Sequence, residues 1–162
     1  MCQTDRRHLL GRLALGGFAL TPLAAALSGC GRSGWPEGMA EIKWDRDTCV
    51  RCSMVISDRR FAAEVRGGPR DTVFKFDDPG CLAFWLRDKA DAHPWLADPA
   101  TRIWVADFTS TPDRITWLDA RKAHYAGGKA SPMGYGYAAY SLPQAGSQDF
   151  ADMRQHVVLK GK

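Results

Sequence analysis

The sequence predicts an α+β protein of two small ββαβ modules with mixed sheets. Three observations carry this. Two short alternating runs, 61–66 (FAAEVR) and 72–76 (TVFKF), flank Gly67-Gly68-Pro69-Arg70-Asp71 in a hairpin pattern. Asp78-Pro79 then opens a helical run, and 102–108 (RIWVADF) closes the group as a strand rich in β-formers. The same order of elements returns in the second half, as an echo of architecture rather than a repeat of residues.

Each element has a local reason. Asp78 is placed to cap a helix whose first residue is Pro79, because proline suits a position whose N–H needs no partner. Leu82, Trp85, Leu86 and Lys89 follow at helical spacing, and the pattern ends before His93-Pro94. In the second half, residues 115–118 continue through His124-Tyr125 as extended chain and stop at Gly127-Gly128. A strand at 137–142 (YAAYSL) follows, then a helix at 143–154 through Ala145, Phe150 and Met153, then a closing strand at 156–160 (HVVLK). The first module therefore occupies 46–112 and the second 113–162. The tryptophans read as core and anchor residues.

The N-terminal segment reads as an export signal. Arg6, Arg7 and Arg12 precede an apolar run, 13–27, interrupted by Gly16-Gly17 and Pro22. That run is shorter than the roughly 20 apolar residues of a membrane span. It ends in Leu27-Ser28-Gly29-Cys30, which has the form of a bacterial lipobox: small residues before a cysteine that is acylated and becomes the first mature residue. The alternative is ordinary cleavage nearby with Cys30 left free. The expected organisation is a cleaved signal at 1–29 and a lipid anchor and tether at 30–45, rich in Gly, Ser and Pro. The expected location is the cell envelope, lipid-anchored and facing the periplasm. Gly31 lacks the acidic character associated with inner-membrane retention, which points to the outer membrane. Asp5-Arg6-Arg7-His8-Leu9-Leu10 partly matches a twin-arginine signal.

The formal charge of +4 is half export signal, since Arg6, Arg7 and Arg12 against Asp5 leave +2 on the mature chain. No Lys/Arg cluster is interleaved with aromatics, so nucleic acid is excluded as a partner. With Cys2 removed and Cys30 acylated, three cysteines remain: Cys49, Cys52 and Cys81. An odd number leaves at least one thiol free or ligating.

The chemistry concentrates in Asp47-Thr48-Cys49-Val50-Arg51-Cys52-Ser53-Met54, two thiols and a thioether within six residues. A further sulfur, Met133, lies in the glycine-rich loop Ser131-Pro132-Met133-Gly134-Tyr135-Gly136. Thiolate and thioether donors select copper(I), which accepts few ligands and so can be released from an incompletely wrapped site. Structural zinc wants four donors, usually two close pairs, and no second pair is present. Thiol–disulfide exchange is the enzymatic alternative, but no helix follows Cys52 to lower a thiol pKa. A structural Cys49–Cys52 disulfide is a further alternative. The expected donors are Cys52, Met54 and Met133, with Cys49 as a fourth and His124 as a less favoured imidazole. Cys81, at the head of the first helix, reads as a small buried apolar residue.

Cys52-Ser53-Met54, Phe76-Asp77-Asp78-Pro79-Gly80-Cys81, Trp117-Leu118-Asp119-Ala120-Arg121-Lys122-Ala123 and Pro132-Met133-Gly134, together behind a lipobox, resemble the NosL family. These are copper-binding lipoproteins that accompany nitrous oxide reductase. The resemblance spans 49–160. It implies a copper(I) metallochaperone, not an enzyme, serving the reductase maturation machinery with its ABC-type membrane complex, or another envelope cuproprotein. It also implies two ββαβ modules and a mixed sulfur and nitrogen ligand set. Cys52 and Met54 match the family's Cys-Gly-Met element, and Met133 matches its later Met-Gly element. Three departures stand out. Ser53 replaces the usual Gly, Cys49 adds a second thiol, and His124 stands where an aromatic residue is common.

Overall fold

The computed structural model describes residues 34–161. The expected signal and the Cys30 lipidation site lie outside them. The described residues belong to one compact unit.

The first half forms as expected. Strand β1 (Ala63–Gly67) and β2 (Thr72–Phe76) make a hairpin in the register Ala63↔Phe76 to Gly67↔Thr72. Helix α1 (Pro79–Asp88) follows, then a single 3-10 turn at Pro94–Ala97 and β3 (Arg102–Ala106). Asp78 caps α1: its backbone is extended, its Oδ1 accepts from the Gly80 N–H at 2.7 Å, and Pro79 is the first helical residue.

The second half departs from the expected module. The extended chain expected at 115–125 is broken by a turn into β4 (Trp117–Asp119) and β5 (His124–Ala126). β4 joins the first sheet, whose order is β2-β1-β3-β4. All its pairings are antiparallel, so the sheet is not mixed. β5 pairs with β6 (Ala138–Tyr140) in a separate two-stranded sheet, and its Tyr125 also bridges to Gln148. The strand expected at 156–160 is instead the end of helix α2 (Phe150–Lys160). Asp149 caps α2 by accepting from the Asp152 N–H at 2.9 Å, so the helix begins at Phe150, seven residues after the expected start. Phe150, Met153 and Val157 then share one buried face at helical spacing. That face carries Val157 into a helix despite its preference for strands, because tertiary burial outweighs a few tenths of a kcal/mol of propensity.

Alternation along the strands divides the sheet. Ala63, Val65, Ile103 and Val105 face α1 and, with Met153 and Val157 of α2, form the main core. Trp104 faces the other way and packs with Met39, Ile42 and Ile56. Helix α1 is buried from Pro79 to Leu86. The loop bearing Met133 and Tyr135 also packs against this core.

Candidate metal centre

Three local devices bring three thiols together. The first is a tight turn. Thr48 and Val55 form an antiparallel bridge, the Cys49 N–H donates to the Met54 carbonyl at 2.8 Å, and the Ser53 N–H donates to the Cys49 carbonyl at 2.9 Å. Ser53 sits at φ +62°, the left-handed region that glycine occupies most easily. The Val50 N–H donates to the Lys75 carbonyl at 3.0 Å and fastens this turn to the outer edge of β2. The second device is the step from β2 into α1, which buries Asp77 between strand and cap. The third is the first turn of α1, which carries Cys81 inward.

Cys49, Cys52, Asp77 and Cys81 each present one donor atom, and these four atoms lie within 4.8 Å of one another. Cys49 and Cys81 are 1% and 0% exposed, while Cys52 is only partly buried and forms the mouth of the group. All three cysteines are free thiols. The Cys52 Sγ donates to Asp77 Oδ1 at 3.4 Å and Oδ2 at 3.5 Å.

The thiols differ in proton affinity. Cys49 is lowered to about 7, first by a hydrogen bond from Cys81 and further by backbone N–H groups at Cys52 and Asp77. Cys81 is raised, first because its S–H is the donor to Cys49 and then by burial. Burial pushes Cys52 up to about 12, helped by the charge on Cys49 and Asp77. Of the three thiols only Cys49 ionises readily, and it does so beside the Asp77 carboxylate.

Arg51 closes one side. Its guanidinium lies 4.3 Å from the Phe84 ring centroid and donates to Tyr135 Oη at 2.6 Å. Burial opposes its charge, but Tyr135 and Cys81 outweigh that and strengthen its hold on the proton. Tyr135 lies against Gly80, where a Cβ would come within 2.2 Å of its ring. The same loop is fixed by the Met133 N–H donating to Asp78 Oδ2 at 3.0 Å and by the Gly136 N–H donating to Ser131 Oγ at 3.0 Å.

No protein-family model and no curated protein matches the sequence. Among solved structures, the copper chaperone NosL from Shewanella denitrificans matches with a TM-score of 0.51 and 18% identity, over 76% of this chain and 89% of that one. The fold is that of NosL. At this identity the likeness speaks for architecture, and the site has to be argued from its own residues.

The NosL fold brings Cys49 and Cys52 together, as the Cys-x-x-Cys spacing expects. Met133 packs against the same core as Cys52 and is tied by its backbone to Asp78, the neighbour of Asp77. Met54 is 49% exposed on the rim of the turn. His124 lies on β5 opposite Tyr140 and is outside the four-donor group. Of these four residues, the sequence alone does not single out Asp77 and presents Cys81 as a small buried apolar residue; Cys81 is indeed buried, but its thiol also faces the group. Both stand in the acidic-pair-to-cysteine stretch 77–81, and the odd thiol count was the available signal.

Proposed function

We propose that this protein is a copper(I) carrier, not an enzyme, and that Cys49 and Cys52 hold the ion with Cys81 as supporting third sulfur. The observation that carries this is the convergence of three free thiols and one carboxylate within 4.8 Å, open on one side at Cys52. Three sulfurs are a soft donor set, the kind that retains copper(I). Met133 and Met54 are proposed as thioether donors, Met133 from its fixed loop and Met54 from the rim, where a departing ion first meets solvent or a partner. Because Cys52 lies at the mouth, a partner's donor can join the ion there before the buried thiols let go. The four-donor count also meets zinc's tetrahedral demand, so zinc is the ion that must be tested against copper.

The thiol environment argues against disulfide exchange. Attack needs an accessible thiolate. Here the accessible thiol, Cys52, is pushed up to about 12, and the readily ionised one, Cys49, is 1% exposed.

The lipobox at Cys30 supports an envelope site, facing the periplasm and anchored in the outer membrane. The likeness to a copper chaperone supports a client among envelope cuproproteins. We place the reductase maturation machinery, with its ABC-type complex, first among these.

The test is competition for copper(I) against a chromogenic chelator, using reduced protein, with zinc in parallel. The expected result is one copper(I) per chain, lost in Cys52→Ser and Cys49→Ser and weakened in Met133→Leu. Reduced protein that takes up zinc but no copper(I), or cysteine variants that bind like the parent, would overturn the reading.

A further inference from the structure

A second site lies at the other end of α1, about 8 Å along the helix axis from Cys81 at 1.5 Å per residue. Leu86, Leu96, Ile103 and Phe150 wall a cavity of about 490 Å³ there, which also receives Arg121, Arg154 and Asp149. That volume falls in the range of small-molecule sites.

Its charge is unbalanced. Arg121 donates from Nη1 to the Thr101 carbonyl at 2.6 Å and makes no ion pair among the described residues. Arg154 has no ion pair there either, and its Nε is buried without a hydrogen-bond partner. Its guanidinium lies 5.4 Å from the Phe150 ring centroid. Burial lowers the proton affinity of Arg154, and the charge of Arg121 lowers it further. Asp149 supplies one opposing charge, but its carboxylate is engaged in capping α2. Two cations facing one occupied carboxylate leave the cavity one positive charge in excess. Arg121 and Asp149 are exposed and Arg154 is partly buried, so the cost falls on the buried Arg154 Nε, a donor without an acceptor, and an anionic ligand beside that guanidinium lowers it.

We propose that this cavity binds a small organic monocarboxylate, with its carboxylate between Arg121 and Arg154 and its hydrocarbon body against Leu86, Leu96, Ile103 and Phe150. The single excess charge matches a monoanion better than a dianion. The planar fork of a guanidinium matches a carboxylate. The apolar walls favour a ligand with a carbon body over an inorganic anion. This inference is independent of the copper reading and uses none of its residues.

The test titrates the full chain, in nonionic detergent, with hexanoate, hexan-1-ol and sulfate. Thermal unfolding and the backbone and arginine side-chain N–H resonances are followed. Hexanoate is expected to raise Tm saturably and to shift the Arg154 side-chain resonance, while hexanol and sulfate bind at least tenfold more weakly. Arg154→Gln and Arg121→Gln are each expected to weaken hexanoate at least tenfold. An unchanged near-UV circular dichroism spectrum and a cooperative thermal transition show that each variant is folded, and if one fails to fold the other carries the test. The proposal is overturned if hexanoate does not saturate, if hexanol or sulfate equals it, or if a folded variant binds like the parent.

Discussion

Glu64 gives the most quantitative prediction. It is the second residue of β1, opposite Trp104 and Lys75, and is 0% exposed. Oε1 accepts from the Ala40 N–H at 2.8 Å, which ties the incoming N-terminal segment to the sheet, while Oε2 is buried without a partner. Burial raises its pKa from 4.5 to about 7, against the opposing effects of the Ala40 hydrogen bond and the nearby cations Lys75, Arg66 and Arg102. The native state thus holds this proton more tightly than the unfolded chain does. Stability from this group is fully present below 4.5 and is lost as pH rises to about 7. At 1.36 kcal/mol per unit, the difference amounts to about 3 kcal/mol. Urea unfolding of reduced protein between pH 4.5 and 8 measures it, with Glu64→Gln as the comparison. The parent should lose about 3 kcal/mol more than the variant across that window, whatever offset the amide introduces. Parallel pH profiles in the two proteins would refute the reasoning.

Gly80→Ala should destabilise the fold by about 1–3 kcal/mol, because the added methyl meets the Tyr135 ring. Adding Tyr135→Ala should relieve the overlap in the same urea assay, and failure to do so places the strain elsewhere. Diamide, reduced to its hydrazine as two thiols become one disulfide, should remove two of the titratable thiols among Cys49, Cys52 and Cys81 and abolish copper(I) uptake. A phosphine reductant should restore both, and uptake that survives oxidation counts against the thiol site. Between pH 7.5 and 9, copper(I) affinity should rise about tenfold per pH unit, because Cys49 is already ionised and Cys52 must release its proton. A pH-independent affinity would contradict that ligand pair.

The local parts of the fold were legible, and the pairings between distant segments were not. Asp78-Pro79 announces α1 because capping is settled within four residues, and the 61–76 hairpin is announced by its turn. The end of α2 was misread because Val157 and Val158 look like strand residues in isolation. What makes them helical is the burial of Phe150, Met153 and Val157 on one face. The membership of β4 in the first sheet depends on Leu118 pairing with Val105, which no local pattern encodes. The site divides in the same way. Cys49 and Cys52 are visible as a spacing, whereas Cys81 looks like a small apolar core residue until β2 and the Cys49 turn are placed beside it.

The charge of the cluster constrains how it can hold an ion. If Cys49, Cys52, Cys81 and Asp77 were all ionised around one monovalent cation, the net charge would be −3 in a largely buried site, with Arg51 the cation that closes one side of it. The proton affinities of the metal-free thiols run against such a load. One thiolate forms near neutrality, and each further ionisation is opposed by burial and by the charges already present. In the proposed copper(I) complex the ion's positive charge offsets the loss of the Cys52 proton, while Cys81 stays an S–H donor to Cys49. Two thiolates then suffice for an ion that accepts low coordination. On this account Cys81 serves by donating, so Cys81→Ser, which keeps a hydroxyl donor, should bind copper(I) more tightly than Cys81→Ala. A site closed by three full thiolates would show no such difference, and it would surrender its ion far less readily to a partner.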